Sequence, residues 1–234
     1  MAAGKGRRFR KKEKIMSKRE NISMSVIRRL PRYYRFLSEL KTQGVMRISS
    51  KELADRMKLT ASQVRQDFNC FGGFGQQGYG YSVEQLYDEI ENILGLQGRH
   101  KTVLIGAGNL GRAVATHMSF ETRGFELIGI FDRDKTLIGQ EIREVVVEDI
   151  KNLEQFCELY RPEAAILCVP KSSVEPIAKI LYASGIKNYW NFSHYDLSVA
   201  YDDVIVENVH MSDSLMTLCY RITAAAQHQA NIEP

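Results

Sequence analysis

The apolar positions change period along the chain. From Ser25 to Gly44, Val26, Ile27, Leu30, Tyr33, Tyr34, Leu37 and Leu40 recur at spacings of three and four, which predicts an amphipathic helix. Pro31 lies inside that pattern, so the helix either starts there or kinks there. Ser49-x-x-Glu52 makes a capping box before Leu53, Ala54 and Met57, and Thr60-x-x-Gln63 makes a second one 11 residues later. Two short helices across a tight turn form a helix-turn-helix pattern. On the second of them, about 61–70, Ala61, Val64 and Phe68 share the inward face, and Ser62, Arg65, Gln66 and Asn69 the outward one. Phe71 to Tyr81 then carries five glycines in the nine positions Gly72 to Gly80, interleaved with four aromatics. That composition predicts a tight hairpin, the wing of a winged helix, rather than a flexible linker. Ser82-x-x-Gln85 caps a further helix carrying Val83, Leu86, Ile90, Ile93 and Leu94, with Gly95 and Gly98 beyond it.

After residue 98 strands and helices alternate. Thr102–Ile105 is a short apolar strand that runs into Gly106-Ala107-Gly108-Asn109-Leu110-Gly111 and a helix carrying Ala113, Val114 and Met118. A G-x-G-x-x-G between strand and helix predicts a dinucleotide site. Its first glycine permits the turn, the second admits a pyrophosphate, and the third lets helix and strand pack closely. Phe125–Phe131 is a second strand ending at Asp132, 21 residues past Gly111, where a carboxylate binds ribose hydroxyls and favours NAD over NADP. Arg133 beside it has three readings: a 2′-phosphate partner, an adenine stack or a solvated side chain. Further strands are expected near Val145–Val147, Ala164–Val169, Asn188–Phe192 and Val204–Val209, with helices near Asp149–Tyr160 and Val174–Ser184. The run predicts an α/β fold with a doubly wound parallel sheet, with ligand contacts at the carboxyl ends of the strands: Asp132, Val169, Pro170, Asn191 and Phe192. A last helix, about Ser212–Gln227, carries Leu215, Leu218, Cys219 and Ile222 on one stripe, which must pack on its own domain or on a second subunit.

Charge sharpens this division. Residues 1–72 hold 19 Lys and Arg against 6 Asp and Glu, a net of +13, whereas the remaining residues hold 13 against 22, a net of −9. A basic front and an acidic back predict a polyanion-binding end joined to something else. The outward side chains of the 61–70 helix are the types that read base edges: Arg to guanine, Asn and Gln to adenine, Ser to either. A solvated polar face is the alternative, and the glycine-rich wing beside that helix favours DNA. Gly75, Gly78 and Tyr79 are the wing residues expected to approach the duplex. The basic tail 1–20 is expected to be disordered, either a solvated start or a nonspecific phosphate-binding arm. It lacks the apolar core of a secretory signal, and no stretch is apolar enough to span a membrane. Cys70, Cys157, Cys168 and Cys219 include no C-x-x-C pair, which argues against a disulfide framework or a metal site and fits the cytoplasm.

Several segments together resemble the Rex family of bacterial redox-sensing repressors: Arg28–Tyr33, Ser50–Leu53, Gln63–Asp67, Phe71-Gly, Phe74–Tyr81, Gly106–Gly111, Asn191-Phe192 and Val206–Val209. The resemblance runs from about Asn21 to Arg221. It implies a homodimer with an N-terminal winged helix, a C-terminal Rossmann-like NAD(H)-binding domain, and a last helix exchanged between subunits. It also implies release from palindromic operator DNA when NADH is high relative to NAD⁺. Carried over by position, Arg29 (beside Arg28) contacts phosphate, Arg65 and Gln66 enter the major groove, and Arg35 couples the DNA domain to the partner's sensing site. Gln66 replaces a lysine common in the family and shifts the expected preference toward adenine. The family's sensing tyrosine falls at His117, its partner acid at His210, and the aromatic that covers the nicotinamide at Met211. A Tyr–Asp hydrogen bond cannot form between His117 and His210, which raises the reading of a weakened or pH-dependent switch.

The expected organisation is a tail 1–20, a winged-helix domain 21–98, a dinucleotide domain 99–211 and a terminal dimerisation helix 212–234. The leading reading is a DNA-binding repressor, not an enzyme, with NAD(H) as ligand, without a metal or a membrane partner. Two other readings remain at this point. One is an NAD-dependent oxidoreductase with a basic accessory domain, although His117, His194, His210 and His228 do not cluster in sequence. The other is a nucleotide- or CoA-binding scaffold without DNA binding.

Overall fold

The computed structural model describes residues 22–70, 75–76 and 80–230. The basic tail 1–20 and the wing residues Gly78 and Tyr79 lie outside the described residues. The chain divides into two compact units between Gln97 and Gly98.

In the first unit, α1 (Met24–Ile27) leads into α2 (Leu30–Thr42). Pro31 stands in the first turn of α2, so it starts the helix rather than kinking it; there its missing N–H costs no intrahelical bond. Leu30, Tyr33, Leu37 and Leu40 form the buried stripe. After β1 (Arg47–Ile48), α3 (Ser50–Met57) begins with the full capping box, Ser49 and Glu52 each bonding the other's backbone N–H. Lys58 in the left-handed conformation ends α3, and α4 (Ala61–Asn69) starts three residues later. The second box is only half made: Thr60 accepts from the Gln63 N–H, but the Gln63 side chain donates to Asp67. A carboxylate acceptor one turn ahead outcompetes the reach back to the cap.

The hairpin forms as β2 (Gly75–Gln76) and β3 (Gly80–Ser82), antiparallel to each other, with β1 on the other edge of β3. Gly80 has φ +69°, and a Cβ there would lie 2.7 Å from the Ile48 carbonyl oxygen, so only glycine fits the crossing. Ser82 caps α5 (Val83–Leu94), and Gly95 terminates it in the left-handed region.

The second unit is a seven-stranded sheet. Its strands are β4 (His100–Ile105), β5 (Phe125–Asp132), β6 (Glu141–Ile142), β7 (Val145–Asp149), β8 (Ala164–Leu167), β9 (Asn188–Asn191) and β10 (Ile205–Asn208). The order is β10-β9-β8-β4-β5-β7-β6, all parallel except the β6–β7 hairpin, which the apolar pattern did not mark. Strand order reverses between β4 and β8, the switch point of a doubly wound sheet. Alternate strand residues serve opposite faces. Leu104, Ile130 and Ile166 pack with α6 (Asn109–His117), while Val103, Ile105, Ala165 and Leu167 pack with α7 (Leu153–Tyr160), α8 (Lys171–Ala183) and α9 (Leu197–Ala200).

Several boundaries differ from expectation. β8 stops at Leu167; the Cys168 N–H makes the last bond to β4, at the Ile105 carbonyl, and the Leu167 carbonyl accepts the last bond from beyond β9, the Phe192 N–H. Residues Ile150–Asn152 form a 3₁₀ turn before α7. On α6, Val114 and Ala115 are buried, whereas Ala113 and Met118 are exposed. The last helix, α10 (Met211–Ala230), is longer than expected. Among the described residues no helix is long and apolar enough to cross a membrane.

Candidate nucleic-acid and dinucleotide interfaces

In the first unit, α4 presents Ser62, Arg65, Gln66 and Asn69 to solvent, while Val64 and Phe68 are buried, as their spacing predicts. Arg65 donates to the Ser50 hydroxyl at 3.2 Å across the helix-turn-helix. Arg28 and Arg35 are exposed.

Arg29 is held in a way the sequence did not signal. Its Nε and one terminal nitrogen donate to the two oxygens of Asp67 at 2.8 and 2.6 Å. Asp67 is buried, and it also accepts from Tyr33 at 3.0 Å and Gln63 at 2.9 Å. Each carboxylate oxygen thus receives two bonds. Burial alone would raise the Asp67 carboxyl, but the bonds from Arg29, Gln63 and Tyr33 outweigh it and hold it below its ordinary value. Burial, then the bond to Asp67, pushes the Tyr33 hydroxyl up, so it donates as a neutral phenol. A carboxylate between Val64 and Phe68 on the inward side of α4 was the available signal for this cluster.

In the second unit, a cleft of about 630 Å³ opens at the switch point, lined by Gly106, Gly108, Asp132, Arg133, Val169 and Pro170 among others. Gly106 has φ +98°, and its N–H bonds the Phe131 carbonyl. At Gly111 a Cβ would lie 1.7 Å from the Gly106 carbonyl oxygen, so that glycine serves the loop itself. At Gly108 a Cβ would meet nothing within 4 Å; the space over it belongs to the cleft. Asp132 accepts from the Ala107 N–H at 2.6 Å and the Asp134 N–H at 2.9 Å, which sets its carboxylate against the loop. These residues fit a dinucleotide: an open glycine at a helix start for the pyrophosphate and a carboxylate for the ribose. Asn109 is exposed, Leu110 half-buried and Ala107 buried. Cys168 lies in the cleft wall, where burial pushes its thiol up to about 12 and keeps it neutral.

Asn191 and Phe192 do not line this cleft. The Asn191 amide donates to the Tyr195 carbonyl and the Asn208 side chain, and its oxygen accepts from the N–H and hydroxyl of Ser193. Phe192 packs edge-on to Trp190, ring centroids 4.8 Å apart. Asn191 thus joins β9 to β10 and the following turn, and the Phe192 N–H bonds the Leu167 carbonyl at the end of β8.

His117 is exposed at the end of α6, and Met211 is exposed at the start of α10. His194 and His210, unrelated by sequence spacing, stand with ring centroids 4.6 Å apart, and His210 lies 3.7 Å from Asp213. Among the described residues no group of three or more His, Cys, Asp or Glu could hold a metal ion. From Met211 to Gln227 every residue of α10 is exposed except half-buried Ala224, and Leu215, Leu218 and Ile222 are 67%, 52% and 62% exposed.

Comparison with known proteins agrees with this two-part geometry. Residues 21–69 match the family described as "Putative DNA-binding protein N-terminus", and residues 97–195 match the "CoA binding domain" family. The chain is 55% identical over 207 residues to the redox-sensing transcriptional repressor Rex of Thermoanaerobacter pseudethanolicus, covering 88% of this chain and 92% of that protein. It is also similar to the crystal structure of RSP in complex with β-NAD⁺ and operator DNA, with 52% identity, a TM-score of 0.80, and coverage of 89% of this chain and 96% of that one. The structure of RSP with β-NADH matches at 48% identity and a TM-score of 0.80, covering 90% and 98%. A helix-turn-helix with an exposed polar face, a glycine-motif cleft at the switch point and identity of this extent lead to one conclusion: the chain belongs to the Rex family of redox-sensing transcriptional repressors.

Proposed function

We propose that this chain, as a homodimer in the cytoplasm, occupies palindromic operator DNA through α4 and its wing and leaves that DNA when NADH fills the cleft beside Gly108. The observation that carries the reading is the pairing on one chain of an exposed Ser62–Arg65–Gln66–Asn69 face with a cleft whose second glycine is left open. Membership of a repressor family sets aside the oxidoreductase and scaffold readings. Gly106, Gly108, Asp132, Arg133, Val169 and Pro170 hold the nucleotide. The structural roles of Asn191 and Phe192 give them an indirect part, in shaping the chain beyond β9.

Release requires NADH to bind the DNA-incompetent arrangement more tightly than the competent one; equal affinity shifts nothing. A gel shift on an operator duplex, titrated with NADH and NAD⁺ at two stated salt concentrations, tests this directly. NADH is expected to release the DNA and NAD⁺ to leave it bound. Equal calorimetric affinity for the two nucleotides, with no release, would instead establish a switch weakened by His117 and His210.

Dimerisation through α10 is supported by its exposed apolar side chains, Leu215, Leu218 and Ile222, which lie on one stripe of the helix, the kind of surface that marks an interaction site. The same unit carries an apolar groove of about 440 Å³ lined by Phe120, Ile166, Trp190 and Ile205 among others. Replacing Leu215 and Leu218 together with glutamate is expected to yield a monomer in light scattering. Operator affinity should then fall roughly 100-fold, because two linked half-site contacts become independent. A variant that stays dimeric would exclude this helix from the interface.

A further inference from the structure

In the Asp67 cluster only Arg29 has a role so far, the expected phosphate contact; Asp67, Tyr33 and Gln63 have none. Arg29, Tyr33 and Gln63 come from the start of α2, its first turns and α4, and all three converge on one buried carboxylate. An arginine has five N–H donors. Asp67 takes two of them from one edge of the Arg29 guanidinium, and the side chain stays 30% exposed while Asp67 is 1% exposed. Among the described residues, no side chain or carbonyl accepts from the remaining Arg29 nitrogen. The fork is therefore gripped from inside and open toward solvent, beside the helix that carries Arg65.

We propose that Asp67 is a positioning residue for DNA binding: its carboxylate fixes the Arg29 guanidinium so that the open edge meets a backbone phosphate while the same bonds pin α4 to α2. This rests on the reading of α4 as the DNA-facing helix. Two consequences follow from the geometry. The phosphate contact is preorganised, because Arg29 loses little rotamer freedom when DNA arrives. The contact also sets the register of α4, since the residue that holds the phosphate ligand is itself one turn from Gln63 and two positions from Arg65.

The test compares the full-length protein with Asp67→Asn, Arg29→Ala, the double variant and Arg29→Lys. Fluorescence anisotropy is read on an operator duplex and a scrambled duplex over a range of salt, with NADH affinity and thermal melting as controls. Asp67→Asn is expected to weaken both duplexes on the order of tenfold and to flatten the log–log salt slope by about 0.9 for each phosphate no longer neutralised. The double variant should bind no more weakly than Arg29→Ala, because Asp67 acts through Arg29. Arg29→Lys, which keeps the charge but not the fork, should resemble Arg29→Ala even if Asp67→Asn fails to fold. Additive effects, a slope unchanged beside a lowered melting temperature, or full affinity in Arg29→Lys would each overturn the proposal. Failure of the unaltered protein to prefer the operator would instead overturn the DNA-binding reading itself.

Discussion

Arg65→Ala is expected to erase operator discrimination while leaving nucleotide binding intact. Arg65 is exposed on α4, flanked outward by Ser62, Gln66 and Asn69, and its observed partner is the Ser50 hydroxyl. A contact to one hydroxyl at the surface is easily exchanged for a base edge. An arginine that meets guanine in a bidentate way discriminates by about 1–3 kcal/mol. A dimer on a palindrome makes that contact twice, so the preference for operator over scrambled duplex should fall by roughly 30-fold or more. The fold should persist, since an exposed substitution of this kind changes stability within about 0.5 kcal/mol. NADH affinity should not move, because the cleft lies in the other unit. Competition binding against scrambled DNA measures the effect. An equal loss on both duplexes would demote Arg65 to a phosphate contact, and no loss on either would remove α4 from the groove.

Gly108→Arg is expected to do the reverse. The backbone at Gly108, φ −63° and ψ −169°, is extended and open to any residue, and a Cβ there meets no neighbour within 4 Å. The substitution should therefore fold, with an unchanged circular dichroism spectrum. Its side chain must enter the cleft that Asp132, Val169 and Pro170 complete. NADH affinity should drop at least about 100-fold, equivalent to roughly 2.7 kcal/mol. Operator binding should survive without nucleotide and should no longer respond to NADH, since a ligand that does not bind shifts no equilibrium. Calorimetry with NADH beside a gel shift separates the two effects. Retained NADH-driven release would place the nucleotide elsewhere, and joint loss of both activities with a native spectrum would end the modular reading.

Local signals carried most of the architecture. Spacings of three and four marked α2 through Leu30, Tyr33, Leu37 and Leu40, and the buried stripe is those residues. The outward face of α4 was legible to the residue, because burial on a helix follows its own period. The glycine motif was legible as well, since strand, turn and helix are contiguous in the chain. The ends of the elements were less so: the apolar run reaches Val169, but β8 stops at Leu167, where its pairing with Ile105 of β4 and Asn191 of β9 ends. The partners of Asn191 show a second limit: its place at a strand's carboxyl end gives no sign of its side-chain bonds to Tyr195, Asn208 and Ser193.

The sequence by itself therefore determined the two-part organisation, the helix-turn-helix, the parallel sheet and the opening of the nucleotide cleft, all of which follow from period, capping and glycine placement. Only the tertiary structure decided that Arg29 reaches across 38 positions to a buried Asp67, and that His194 and His210 stand ring to ring. It alone decided, too, that among the described residues the apolar stripe of α10 is left exposed. The physical reason is common to all three. A side chain's period along the chain is its own property, whereas its partner is set by which distant surface the folded backbone brings within hydrogen-bonding or van der Waals reach.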